Sequence, residues 1–186
     1  LEAQTFRDFR VVLIDNGSRP EERPDPAPAP EWLAIVQSEE NLGFAGGNNR
    51  TAQEAGDAEL LALLNPDAFP EPDWLAALIA AAERWPHAAA FGSTQLLDAD
   101  LSRLDGAGDV LHAIGIPWRG GLGKSAKTLP PEGETFAACG AATLIRKADF
   151  DAVGGFRGQV PEDLDWCDVA DAVAGGATHG DRALPG

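Results

Sequence analysis

The chain is 186 residues long, the size of one domain with a sizeable core. It carries 14 Lys and Arg against 30 Asp and Glu, a formal charge of −16. A surface so acidic argues against nucleic acid and against an anionic membrane as main partners, since both are themselves rich in negative charge.

Residues 9–14 are apolar and rich in β-branched side chains, and they run into Asp15-Asn-Gly-Ser18, the pattern of a buried strand ending in a turn. Residues 19–31 hold five prolines, too dense for any helix, and are expected to form an exposed, extended loop. Residues 33–37 read as a short strand leading into the glycine-rich turn Asn41-Leu-Gly-Phe-Ala-Gly-Gly-Asn-Asn49. Residues 48–58 have helical composition, and 59–64 form a second buried strand that ends at Asn65-Pro-Asp67. The clearest helix is 72–84, with Pro72 near its start, acids in its first turn and apolar side chains at helical spacing; Trp85-Pro86 ends it. Residues 88–97 are expected to form a third strand, and the glycine-rich stretch 101–131 irregular hairpins or a long loop. A strand over 136–145 and a short helix over 147–153, closed by Gly154-Gly155, complete the pattern. Residues 168–186 lack apolar periodicity and are expected to be a disordered tail or an unnatural end. Strands alternating with helices give an α/β layered sheet.

Acidic side chains directly after buried strands stand where an open α/β sheet binds its ligands. Asp15 there can accept hydrogen bonds from ligand N–H or hydroxyl groups, although taken alone it reads better as a turn residue bonded within Asp15-Asn-Gly-Ser18. Gly43, Gly46 and Gly47 let backbone approach a ligand, and Asn48 and Asn49 offer amides at a helix start; a tight strand-to-helix turn without a ligand is the competing reading. Asp67, held after a strand by Asn65-Pro66, suits Mg²⁺ or Mn²⁺, hard cations that often take only one or two ligands from protein. Such a cation would also let a −16 chain accept an anionic diphosphate. Glu162, Asp163 and Asp165 cluster in four residues, either as a general base for an acceptor hydroxyl or as a solvated acidic helix start. Gly121-Leu-Gly-Lys-Ser125 ends like a phosphate-binding loop, but Trp118 replaces the required first glycine. His87, His112 and His179 have no metal-ligand spacing, and Cys139 and Cys167 read as reduced thiols rather than a disulfide or zinc site. The start Leu1-Glu-Ala-Gln-Thr5 is no signal peptide, and the longest apolar helical run, 74–82, is far below the ~18 residues of a membrane span.

In order along the chain, Val12-Leu-Ile-Asp-Asn-Gly-Ser18, Asn41-Leu-Gly-Phe-Ala-Gly-Gly-Asn-Asn49, Leu64-Asn-Pro-Asp-Ala68, Gly140-Ala-Ala142, Val153-Gly-Gly-Phe156 and Glu162-Asp-Leu-Asp-Trp-Cys167 closely resemble the family 2 glycosyltransferases of GT-A fold, above all their rhamnosyltransferase-like branch. The resemblance implies a three-layer α/β/α fold with a mostly parallel mixed sheet. It spans a domain over residues 1–167, with a tail over 168–186. It implies inverting transfer from a nucleotide-diphosphate sugar, dTDP-rhamnose or a UDP-sugar. The acceptor would be a glycan or lipid-linked hydroxyl in cell-surface polysaccharide or glycolipid synthesis. By position, Asp15 resembles the acid that contacts the nucleotide base, and Gly43, Asn48, Asn49, Asn65 and Gly140 line the nucleotide-sugar site. Asp67 resembles the metal ligand, Asp163 the catalytic base and Glu162 a weaker candidate for it. A divalent cation, Mn²⁺ or Mg²⁺, is the implied cofactor. A cytoplasmic location, peripheral at the inner face of the membrane, is the implied setting.

The chain departs from the family pattern at three places. It opens at about the end of the family's first helix, so the first strand is expected to be missing and the fold incomplete. Arg157 to Pro161 replaces a longer acidic and aromatic segment, and after Cys167 the arginine-containing helix and further strand do not follow. A fragment, or a change of frame after Cys167, accounts for this pattern. Three readings therefore stand side by side: an active metal-dependent glycosyltransferase, a non-catalytic nucleotide-sugar-binding fold, and a protein-interaction module.

Overall fold

The structure is a computed structural model that describes residues 1–25, 28–112, 116–129 and 131–157. Strands β1 (Val11–Asn16) and β2 (Leu33–Ser38) pair in parallel, Val11 against Leu33 through Asn16 against Ser38. Helix α1 (Gly43–Glu54) packs on β1 and leads to β3 (Leu60–Leu64). After α2 (Trp74–Arg84) comes β4 (Ala90–Gly92). A late strand, β9 (Ala142–Arg146), enters between β3 and β4 and runs antiparallel to both, so β3 and β4 point the same way. Helix α3 (Lys147–Ala152) follows directly.

The layers follow from strand alternation, which sends successive side chains to opposite faces. On β9, Leu144 joins Leu75, Leu78 and Ala82 of α2 and Phe91 of β4, while its neighbour Ile145 joins Ala52 of α1, Leu61 of β3, Phe150 of α3 and Phe156. Leu60 and Leu61 of β3 divide in the same way. One sheet thus carries α2 on one face and α1 with α3 on the other: three layers, as expected.

Between β4 and β9 lies a smaller layer of hairpins, as residues 101–131 lead one to expect. Strand β5 (Gln95–Leu97) pairs antiparallel with β6 (Asp100–Gly106), and β7 (Asp109–Leu111) with β8 (Pro117–Arg119). Gly121 to Ser125, the stretch with a phosphate-loop ending, instead turns around buried Leu104: Leu104 and Lys124 exchange a backbone bond, and Gly123 N donates to Leu104 O.

Four local expectations need correction. Helix α1 begins at Gly43 rather than near Asn48, because side chains from outside the helix satisfy its first N–H groups. The strand expected over 88–97 is split, β4 staying with β9 while β5 turns away to β6. Of the strand expected over 136–145 only Ala142–Arg146 is regular; Ala137 makes a single bridge to Asp109. The proline-rich loop, expected to be free of helix, holds one 3₁₀ turn over Pro20–Glu22, its proline at the start where no N–H is needed.

Candidate functional site

The carboxyl end of β1 carries Asp15, 3% exposed. Its Oδ1 accepts the backbone N–H of Ser18 at 3.1 Å. Its Oδ2 lies 3.7 Å from Nε of Arg23 and has no hydrogen-bond donor among the described residues. A buried carboxylate oxygen without a donor is costly and rare, and a ligand N–H or hydroxyl would satisfy it. Arg23 comes from the proline-rich loop, which therefore folds back over the strand end instead of standing clear of it. Nothing in the local sequence marks Arg23 for this; only the return of the chain to β2 places it there.

Asn16 next to it points the other way and builds the entrance to α1. Its Oδ1 accepts Leu42 N at 2.8 Å, and its Nδ2 donates to Asn41 Oδ1 at 3.0 Å and Gly43 O at 3.2 Å. Asn41 Oδ1 also accepts Gly43 N at 2.8 Å. These contacts do what an N-cap side chain usually does, and they explain a helix that opens through glycine. The turn after β1 is equally tight: Gly17 has φ +82°, and a methyl group there would stand 2.7 Å from Asn41 N and Glu40 C. Gly43, at φ +67°, has open space where its side chain would be.

The carboxyl end of β3 carries the second group. Asn65 N donates to Ala141 O at 2.8 Å, and Ala68 N to Asn65 O at 3.1 Å, closing the Asn-Pro-Asp turn against the start of β9. Asp67 is exposed, with no hydrogen bond or ion pair among the described residues. Gly140, buried just before β9, would bring a methyl group to 2.9 Å from Cζ of Phe44. Phe44 in the first turn of α1 therefore rests on Gly140, and this contact joins the Asp15–Gly43 end to the Asn65–Gly140 end.

The two asparagines of α1 are engaged internally. Asn48 Nδ2 donates to Phe44 O at 2.8 Å. Asn49 donates to Phe156 O and accepts Phe156 N, both at 2.8 Å, so it clamps the Gly154-Gly155-Phe156 turn to the helix. Glu162, Asp163, Asp165, Cys167 and His179 lie outside the described residues. Cys139 is buried and free, His87 and His112 are exposed, and the described residues hold no group of three or more His, Cys, Asp or Glu arranged for a metal. A cation at Asp67 would accordingly rest on one protein carboxylate, a donor set compatible with Mg²⁺ or Mn²⁺ when phosphate and water supply the rest.

Acids and glycines stand at the carboxyl ends of β1 and β3, with an antiparallel strand inserted beside β3, and comparison with solved structures gives the class of fold. A crystal structure of GalNAc-T7 with UDP, GalNAc and Mn²⁺ matches with a TM-score of 0.63 at 16% identity, covering 88% of this chain and 34% of that one. The fold is GT-A. The model of the family described as "Glycosyl transferase family 2" matches residues 1–154, and the chain belongs to that family. An N-acetylglucosaminyl-diphospho-decaprenol L-rhamnosyltransferase of Mycobacterium tuberculosis is 28% identical over 179 residues, 84% of this chain and 58% of that protein. A glucosyl-dolichyl phosphate glucuronosyltransferase of Haloferax volcanii is 29% identical over 98 residues, 52% of this chain and 31% of that protein. The chain thus spans little more than half the length of its mycobacterial relative.

Proposed function

We propose that the chain is the donor-binding and catalytic part of an inverting glycosyltransferase that uses a nucleotide-diphosphate sugar. The observation that carries this is the buried Oδ2 of Asp15, a hydrogen-bond acceptor without a donor, at the end of a strand in a family 2 domain. A nucleobase N–H is the donor such an atom needs. Arg23, with Nε 3.7 Å from that oxygen, lies beside it without donating to it, which leaves the acceptor open. Gly43 leaves open space where its side chain would be, at the start of α1.

Asp67 is the residue that would hold a divalent cation, with Asn65 shaping its turn. When bound, Mn²⁺ or Mg²⁺ offsets the charge that grows on the departing diphosphate. The Mn²⁺ and UDP named with GalNAc-T7 support this reading. Asp163 takes the proton from an acceptor hydroxyl as that oxygen attacks the anomeric carbon; the bond to the diphosphate breaks and the diphosphate leaves with the electron pair. Glu162 is the alternative base. Gly140 lets Phe44 pack against the start of β9 and so sets the wall of the sugar side, and Asn48 and Asn49 hold the shape of the α1 side. The name of the mycobacterial relative supports a rhamnose donor such as dTDP-rhamnose, with UDP-sugars the alternative, and both relatives' names support a lipid-linked acceptor, in cell-surface polysaccharide or glycolipid assembly. The domain then extends over 1–167, and its place is the cytoplasmic side of the membrane; no helix among the described residues is long and apolar enough to cross one.

Calorimetric titration of dTDP and UDP, with and without Mn²⁺, tests this on the parent chain and on Asp67→Ala. The expected result is binding that needs Mn²⁺ in the parent and is lost in the variant. Absence of binding under every condition would remove the donor-site reading.

A further inference from the structure

Asp67 stands on an arm, residues 66–72, that leads from the end of β3 to the start of α2 and contains Pro66, Pro70 and Pro72. Prolines fix φ but bring no N–H, so the arm has few donors with which to tie itself down. Among the described residues the only N–H of 66–72 that donates is that of Ala68, to Asn65 O at 3.1 Å. That bond closes the turn on the β3 side of Asp67. The α2 side has to be held from elsewhere.

Gln4, in the segment before β1, holds it. This side chain is buried, with the residue 1% exposed. Its Nε2 donates to Glu71 O at 2.7 Å, and its Oε1 accepts Leu75 N at 2.9 Å. Next to it, Thr5 N donates to Pro72 O at 2.7 Å. The bond from Leu75 serves α2, whose own N-cap residue, Asp73, makes no side-chain cap bond. A cap for the helix requires no more than that. The other two bonds land on carbonyls of the arm itself. Just beyond them Trp74 Nε1 donates to Ser93 Oγ at 2.8 Å, past the end of β4. With Asn65 N bonded to Ala141 O at the other end, the stretch that carries Asp67 is pinned on both sides.

A cation that takes a single carboxylate from protein has no second protein ligand to correct a misplaced first one. Any wandering of that carboxylate must stop when the cation binds, and the ordering is subtracted from the affinity. An arm pinned on both sides is ordered before the cation arrives.

We propose that Gln4 is a positioning residue for the divalent cation: by fixing the α2 end of the arm it sets where Asp67 stands. The inference rests on the reading of Asp67 as the cation ligand, and adds to it a residue bonded to the arm and not to the cation.

The test is calorimetric titration of Mn²⁺·UDP into the full chain and three variants, well below every melting temperature. Gln4→Met keeps the length of the side chain and removes both of its bonds; binding should weaken about tenfold. Pro70→Gly loosens the arm between Asp67 and the residues that Gln4 and Thr5 hold, and should weaken binding about threefold. It lies outside the core clusters and carries the test if Gln4→Met does not fold. Leu78→Ala removes packing from the same helix without removing a bond to the arm, so it should lower the melting temperature and bind as the parent does. Parental binding by a folded Gln4→Met or by Pro70→Gly would overturn the proposal. So would a weakening in Leu78→Ala equal to that in Gln4→Met, which would reduce Gln4 to a support of α2. No binding by the parent removes the donor-site reading and this inference with it, whereas parental binding by the variants removes this inference alone.

Discussion

The two strand ends that frame the candidate site are built in opposite ways. At the end of β1 almost every polar group is engaged: Asp15 with Ser18 and Arg23, Asn16 with Leu42, Asn41 and Gly43, and Gly17 pressed against backbone. At the end of β3, Asp67 stands exposed on a turn held only by its backbone. The first end is pre-shaped, with one acceptor left open; the second leaves a whole carboxylate free. Rigid, buried groups suit recognition of a flat base, and a free carboxylate suits an ion that brings its other ligands with it.

If that contrast is real, substitutions at the two ends should separate stability from binding. Gly17→Ala should have the largest effect on stability, about 3 kcal/mol in urea unfolding. It sets a side chain in the left-handed region and drives it into the backbone of Glu40 and Asn41. Asn16→Ala should cost about 1–2 kcal/mol and weaken nucleotide binding, since Leu42 N loses its partner and α1 its cap. Asp67→Ala should shift stability by less than about 0.5 kcal/mol while abolishing the Mn²⁺-dependent nucleotide binding. A loss of stability in Asp67→Ala as large as that in Asn16→Ala would break the contrast.

The layered fold and the positions of both strand-end acids were legible because they rest on local signals: apolar runs of four and five residues stopping at Asp15 and at Asn65-Pro-Asp67. What escaped was set by distant contacts. Glycines at 43, 46 and 47 read as a turn because each disfavours helix by about 1 kcal/mol, and nothing near them announces that Asn16, some 26 residues back, would cap the helix. Arg23 sits in a proline-rich stretch whose composition says only that it is not a long helix. Residues 88–97 look uniformly strand-like, yet the pairing with β9 stops at Gly92. A methyl group at Gly92 would come within 3.1 Å of Ala138 Cβ, a crowding visible only once that segment has returned. Asn49 was legible as an important amide but not as the clamp on Phe156, a partner 107 residues away.

Strand β9 has a consequence for the order of events when the chain is made. Both apolar clusters need it, one through Leu144 and the other through Ile145, and it must slide between β3, some 80 residues upstream, and β4, some 50 upstream. Neither half of the core can close until residue 146 is available. Loops of that span also slow the search for the native pairing. An emerging chain therefore holds β3 and β4 with bare edges until β9 has been made, the period in which it is most exposed to aggregation and depends most on chaperones.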